Sequence, residues 1–411
     1  MPIVRPFKSI RPAEEVVARV AALPYDVYNR KEACEVVSKE PMSFLAIDRA
    51  ETQFSADVST YAPEVYDKAR QMLDEAIEKG IFVTDDTAYY YIYELTMNGK
   101  SQTGIVACSS IDDYQNNIIK KHENTREEKE QDRIRHVDTT NAHTGPIFLA
   151  YRAVDAINQV VDKVKNEAAL YDFTCDDGVR HAVWIIKDEA DAKTVLEAFQ
   201  TVPCTYIADG HHRCASAVKV GLKRRAENPG YTGEEEFNYF LSVLFPDEQL
   251  YIMPYNRTVK DLNGYTKESF LEKIGELFTI ETRDHAVEPD QKGTFGMYLD
   301  HQWYLLTAKT EILSEDPVKG LDVSVLQDHL LGPVLGIGDP RTDSRIDFIG
   351  GIRGVGELER RVHEDMTIAF SMYATSIQEL LDVADAGLLM PPKSTWFEPK
   401  LRSGIFIHRL G

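Results

Sequence analysis

A short apolar run at residues 205–208 passes without a break into Asp209-Gly210-His211-His212-Arg213, and residues 214–228 then carry a helical pattern that stops at Pro229-Gly230. Any fold for this chain must therefore accommodate a strand, a glycine turn and a helix in immediate succession. Gly210 permits a tight turn that a side chain would resist. A helix starting near His212 leaves backbone N–H groups without intrahelical partners, and their partial positive charge suits an anion such as phosphate. Arg213 can add a bidentate clamp, and His211 and His212 supply further donors. Asp209 can orient a histidine, cap the helix or hold a metal ion. A capping aspartate alone is common, but five consecutive polar or glycine residues with two adjacent histidines at a strand end point to function.

Around this junction the chain reads as three regions: an N-terminal α/β region at 1–110, a core at 111–232 and a C-terminal α/β region at 233–411. In the first, 62–78 is helical, with Val65, Ala69, Met72 and Ile77 on one side and Gly80 as terminator. Residues 89–109 form a hairpin about Asn98-Gly99. Strands are expected at 147–153, 181–187, 239–245, 250–254, 278–282, 294–299 and 302–307. Helices are expected at 190–199, 267–277, 323–330 and 376–386. Without strict βαβ alternation this is an α+β, mixed α/β fold.

Charge narrows the partners. The chain of 411 residues carries 67 acidic against 46 basic side chains, a formal charge of −21. That disfavours nucleic acid, whose binding rests on clustered Lys and Arg, but leaves room for a small anion in a local positive pocket. Five scattered cysteines without a C-x-x-C pair indicate reduced thiols. The N-terminus lacks an apolar signal core, and no apolar run approaches the roughly 18 residues that cross a bilayer. The expectation is a soluble cytoplasmic protein with neither a nucleic-acid nor a membrane partner; assembly into a homo-oligomer is left open.

Four other segments could carry chemistry. Lys120 to Arg133 holds His122-Glu123-Asn124-Thr125-Arg126. On a helix from about Thr125, Glu123 would be a carboxylate kept ionised by Arg126 and Arg133, although spacing alone favours a solvated helix laced with ion pairs. Pro24-Tyr25-Asp26 places a carboxylate and a phenol in a stiff turn, where Asp26 could equally bond its own backbone. Arg345 to Gly354 contains Asp347, Gly350, Gly351 and Arg353, either an anion approach or a bulged strand pair. Near the C-terminus Lys393 and Lys400, with Ser394 and Thr395, could complete a phosphate or carboxylate pocket, although lysines there are usually just solvated. The Walker loop, the dinucleotide fingerprint, the nucleophile elbow and the zincin motif are absent, and His and Cys do not take zinc spacing.

Taken together these segments resemble the domain-of-unknown-function 1015 family over nearly the whole chain. The resemblance rests on Arg5-Pro-Phe-Lys-Ser-Ile-Arg-Pro, Pro24-Tyr-Asp-Val, His122-Glu-x-Thr-Arg, Asp209-Gly-His-His-Arg, Asp347-Phe-Ile-Gly-Gly and Met390-Pro-Pro-Lys-Ser-Thr-x-Phe-x-Pro-Lys. The Asp209 segment also resembles ParB-like nucleotide-binding domains, sulfiredoxins and, most closely in wording, free-serine kinases. That likeness implies a ParB/sulfiredoxin-like nucleotide-binding core with additional mixed-sheet regions at both ends. It further implies that Gly210, His211, His212 and Arg213 grip nucleotide phosphates, with Asp209 near Mg2+ or the transferred group. Two departures count: Glu123-Asn124-Thr125-Arg126 precedes the glycine motif, whereas the ParB box follows it. Where sulfiredoxin has its catalytic cysteine this chain has His211.

The leading expectation is a nucleotide-dependent phosphotransferase, with ATP or ADP as donor, Mg2+ as cofactor and a small hydroxylated metabolite, L-serine as the best guess, as acceptor. Glu123 or Asp26 would accept the hydroxyl proton, and Asp209 and His211 would act beside it, with Arg126, Lys393 and Lys400 on the phosphates. The alternatives are a nucleotide-binding regulatory switch of ParB-like type and a nucleotide hydrolase.

Overall fold

Asn98 and Gly99 both adopt positive φ, 51° and 76°, and close the expected hairpin as a two-residue turn whose twist matches its strands. The structure, a computed structural model, describes residues 1–125 and 127–411. It divides into a first unit, residues 1–250 with 399–411, and a second unit, residues 251–398.

In the first unit a mixed sheet is formed by β1 (Val4–Arg5), β2 (Tyr90–Met97), β3 (Lys100–Ser110), β4 (Ile119–Lys120), β5 (Ile147–Tyr151), β6 (Tyr171–Thr174), β7 (Arg180–Ile186), β8 (Thr205–Asp209) and β9 (Tyr239–Pro246). The strand order is β4-β8-β5-β9-β3-β2-β7-β6, with β1 against β3. Two pairings, β8 with β4 and β9 with β5, are parallel. Because β2 and β3 share this sheet with β5, β8 and β9, the three regions expected from sequence do not separate. The division falls instead at 250/251, and residues 399–411 return to the first unit.

Helices α1 (Arg30–Lys39), α2 (Pro63–Glu78), α3 (Glu127–Thr140), α4 (Asp155–Val164), α5 (Glu189–Phe199) and α6 (His211–Glu227) complete this unit. Asn29 and Glu32 form a capping box on α1, and Pro63 starts α2 where its missing N–H costs nothing. Apolar Leu149, Ile207, Cys214, Val218, Phe240 and Leu244 join sheet and α6 in one core, while Ala33, Leu45, Val65, Leu73 and Phe82 form a second core under the N-terminal helices. Gly221 seats α6 tightly: a Cβ there would lie 2.5 Å from the Phe237 carbonyl oxygen and 2.7 Å from Ile111 Cδ1. The polar stretch after residue 120 is helical in α3, as its charge spacing suggested. Its Asp138 takes Lys223 at 2.6 Å and Arg224 at 2.9 Å from α6.

The second unit is an antiparallel sheet of β10 (Tyr255–Val259), β11 (Phe278–Arg283), β12 (Thr294–Leu299), β13 (Gln302–Ala308), β14 (Ile346–Gly350) and β15 (Ile368–Met372), ordered β11-β13-β12-β15-β10-β14. Helices α7 (Lys267–Gly275), α8 (Val355–Glu364) and α9 (Ile377–Asp385) accompany it. The strand expected at 250–254 is broken at Pro254, which has no N–H to donate, into Ile252–Met253 and β10. The helix expected at 323–330 is Asp322–Leu326 followed by a wider π turn, Gln327–Leu331. The mixed α and β content agrees with the expected class. Among the described residues no helix is long and apolar enough to cross a membrane.

Candidate functional site

Strand β8 shifts register between Ile207 and Asp209 against β5, so its last residue is re-aimed at the sheet's end. Gly210 follows with φ 94° and ψ 31° and is the N-cap of α6. The helix begins at His211, one residue earlier than expected, and no side chain caps it. Asp209 precedes the cap, which removes the bland reading of it as a capping residue. Gly210 itself supplies no side chain to cap the first-turn N–H groups.

Arg213 folds back over the glycine. A Cβ on Gly210 would meet its guanidinium at 3.1–3.2 Å. Its Nη1 donates to the Pro146 carbonyl at 2.5 Å, and Nη2 lies 3.6 Å from Asp209 Oδ2. Asp209 Oδ1 accepts the Gly210 N–H at 3.0 Å, and Lys400 Nζ stands 3.4 Å from Oδ2. Burial opposes ionisation of Asp209, but Lys400 and Arg213 outweigh it and hold the carboxyl well below its usual range. The fold thus brings Lys400 beside the motif, on Asp209.

The two histidines of the motif differ. His212 is half-buried, whereas His211 is 7% exposed and packs edge-on against His122, ring centroids 4.6 Å apart at 89°. Burial pushes His122 down to about 4, partly opposed by Asp209 and a hydrogen bond to the Ile207 carbonyl. Burial, with His122 beside it, drives His211 well below the ordinary imidazole value. Both rings are neutral at pH 7, and His122 Nδ1 and His211 Nε2 have no hydrogen-bond partner among the described residues. Sequence reasoning passed over His122 itself, although it quoted the segment. The parallel pairing of β4 with β8 puts residues just beyond Lys120 beside Ile207. Glu123 follows, half-buried. Arg126 lies outside the described residues.

Pro24-Tyr25-Asp26 leads into a single 3-10 turn, Tyr25–Val27, and its backbone is pinned from outside. Arg49 Nη1 donates to the carbonyls of Tyr25 at 3.0 Å and Tyr28 at 2.7 Å, while its Nε bonds Glu51 at 2.6 Å. The buried Arg133 guanidinium lies 3.8 Å over the Tyr25 ring and bonds Asp132 at 2.9 Å. Burial, moderated by Arg133, pushes the Tyr25 phenol up to about 12. A cavity of about 220 Å³ is lined by Tyr25, Asp26, Arg49, Glu51, Asp132 and Arg133. A second cavity, of about 30 Å³, is lined by Tyr25, Asp48, Arg133, His136 and Arg213. Tyr25 and Arg133 are common to both, so the structure brings the Pro-Tyr-Asp turn and the Arg213 end of the helix motif to adjoining hollows.

The remaining candidates divide. Lys393 belongs to the second unit, where its Nζ lies 5.3 Å from the Tyr255 ring centroid and its carbonyl accepts from Arg257 at 3.0 Å. Gly350 and Gly351 are glycine for packing: a Cβ on Gly350 would lie 2.7 Å from the Trp396 indole, and one on Gly351 2.8 Å from Pro254. Asp347 bonds Arg361 at 2.7 Å, and Arg353 stands 3.8 Å from Glu357. Cys214 is fully buried and its thiol pushed up by that burial, which leaves no activated thiolate beside the turn. Among the described residues no group of three or more His, Cys, Asp or Glu is arranged to hold a metal ion.

A family model described as "Protein of unknown function (DUF1015)" matches residues 4–324. No curated protein matches the chain. Among solved structures, a free serine kinase variant in complex with ADP is 16% identical over 75% of this chain and 93% of its own, with a TM-score of 0.35. A conserved hypothetical protein from Pyrococcus furiosus is 15% identical over 74% and 95%, TM-score 0.34. C-terminally truncated SbnI from Staphylococcus aureus is 12% identical over 74% and 87%, TM-score 0.39.

Proposed function

The chain belongs to the DUF1015 family, and we propose that its Asp209–Arg213 turn binds the phosphates of ATP or ADP and serves phosphoryl transfer to a small hydroxylated metabolite, with L-serine the first acceptor to test. The observation that carries this reading is the uncapped start of α6 with the Arg213 guanidinium folded over Gly210. First-turn N–H groups, a helix dipole and an arginine fork all point at one place, and each favours an anion. Phosphoryl transfer asks mainly for positioning and charge neutralisation, which these groups supply.

Asp209 suits a second role. It is ionised, and about a third of its side chain is exposed. Mg2+ is usually held by only one or two carboxylates together with substrate phosphates, so Asp209 is the residue that would hold it and lower the charge of the phosphates. His211, neutral and unpartnered at Nε2, can offer a hydrogen bond without adding charge. The cavity beside Tyr25 gives the acceptor room, and Asp26 on its wall or Glu123 next to His122 takes the hydroxyl proton.

The test is direct. Full-length protein with Mg2+, ATP or ADP and L-serine should yield phosphoserine, and a panel of other hydroxylated metabolites extends the assay. Arg213→Ala should weaken nucleotide binding by about 10–100-fold, the worth of a charge-assisted bidentate contact. Glu123→Gln and Asp26→Asn separate the two bases: the true one loses kcat with little change in nucleotide affinity. Saturable nucleotide binding with no turnover on any acceptor would reject the kinase reading in favour of a switch. Nucleotide loss to water alone would favour a hydrolase.

A further inference from the structure

Strands β12 and β13 of the second unit join through a two-residue turn, Asp300-His301, with Leu299 opposite Gln302. Both turn residues have positive φ, 50° and 60°, in a turn that ordinarily selects Asn-Gly. Each of these non-glycine side chains is engaged. Asp300 accepts from Lys267 at 2.7 Å, and His301 Nδ1 stands 2.9 Å from His363 Nε2 on the last turn of α8. The pairs His122–His211 and His143–His408 are buried, but both rings of this pair are exposed.

The hydrogen bonding at His363 is over-subscribed. Its Nε2 lies 2.9 Å from His301 Nδ1 and also 3.0 Å from the Tyr298 hydroxyl. A neutral imidazole nitrogen offers one N–H or one lone pair, not both. An ion shared by the two imidazoles replaces the His301–His363 contact with one lone pair from each ring, and the Tyr298 hydroxyl then turns from Nε2 to a metal-bound water. The spacing fits: two nitrogens about 2.0–2.1 Å from one ion, at right angles, stand about 2.9 Å apart. Right-angle positions belong to square-planar and octahedral coordination, the preference of Cu2+ and Ni2+ on nitrogen and oxygen ligands. Glu359, one helical turn before His363 on the same face and held by the Trp303 indole N–H at 2.7 Å, brings negative charge alongside.

We propose that His301 and His363 form a surface site for a divalent transition-metal ion of the Cu2+ and Ni2+ class, with water completing the coordination. The site stands apart from the nucleotide reading and does not depend on it.

Tag-free full-length protein is titrated with NiCl2 in a non-chelating buffer near neutral pH, because protons compete with a metal ion for imidazole nitrogens. One saturable site per chain is expected, weakened about tenfold or more by His301→Ala and by His363→Ala and unchanged by His285→Ala. Both pair positions are exposed, so the variants should keep their metal-free melting curves. Ni2+ should raise the melting temperature of the wild type and not of either variant. Absence of saturable binding, or binding equally tight in His301→Ala and His363→Ala, would overturn the proposal.

Discussion

Acid should destabilise the first unit well above the pH at which carboxylates protonate, because it buries histidines in their neutral form. His122 is 2% exposed and held down at about 4; His181 is fully buried, and burial with Arg402 beside it holds it at about 3, both from an ordinary value of 6.5. A base whose folded value is depressed takes its proton in the unfolded chain first. Its contribution is therefore present above about 6.5 and lost as pH falls toward the folded value. At pH 5 each of these histidines costs about 2 kcal/mol, so the pair costs about 4 kcal/mol. Asp113 works the other way: burial raises it to about 6, so it is protonated in the folded chain before the unfolded one and returns about 1 kcal/mol at pH 5. The net loss of about 3 kcal/mol is a large share of ordinary domain stability. Urea unfolding at about pH 7.5 and 5.0 measures it. Trp184 in β7 is the reporter, in a chain carrying Trp303→Phe and Trp396→Phe so that the second unit is silent. Between pH 6.5 and 4 the stability slope should fall by about 1.4 kcal/mol per pH unit in His122→Gln, whatever that change does to absolute stability. Equal stability at the two pH values, or an unaltered slope in the variant, would refute the neutral-histidine account.

Two glycine substitutions probe the backbone. Gly210→Ala forces a side chain into φ 94° and within 3.2 Å of the Arg213 guanidinium, and should cost about 1–2 kcal/mol in urea unfolding and lower nucleotide affinity; Gly210→Asn, whose residue tolerates this region, should cost less. Gly350→Ala in the second unit pushes a methyl against the Trp396 indole and should cost about 1–3 kcal/mol by overpacking, with nucleotide binding unchanged.

What the sequence made legible was local. Asn98-Gly99 announced its hairpin because a type I′ turn needs positive φ at both positions, and Gly210 announced a turn for a similar reason. Some helices went unread although their signals were present. Val355–Glu364 sets Val355, Leu358 and Val362 on one stripe that packs on the second unit's core, among charged residues that fill the rest of the helix. Arg30–Lys39 did carry an Asn29 and Glu32 capping signature, which could have been read. The contacts of the motif's partners were hidden for a different reason. Lys400 stood out in its own segment, but its meeting with Asp209 across 191 positions, like that of Arg133 with Tyr25, comes from packing that no periodicity encodes. The glycine pair at 350–351 left an anion approach and a bulged strand pair equally open, because sequence shows a missing side chain but not the Trp396 indole and Pro254 that require it to be missing.

The same burial that hides these partners sets the site's charges apart. Asp209 and the two rings beside it are neighbours, yet they end in opposite states. Lys400 and Arg213 supply enough positive charge to overcome burial at Asp209, whereas burial keeps His122 neutral despite Asp209, and burial with His122 alongside keeps His211 neutral. Among the described residues the carboxylate is paired with Arg213 and Lys400, and Gly210 brings no side chain to cap the helix. On the proposed reading a phosphate would then meet an arginine, a lysine and a helix dipole already fixed in place, at the end of β8 where the register shift has turned the chain outward.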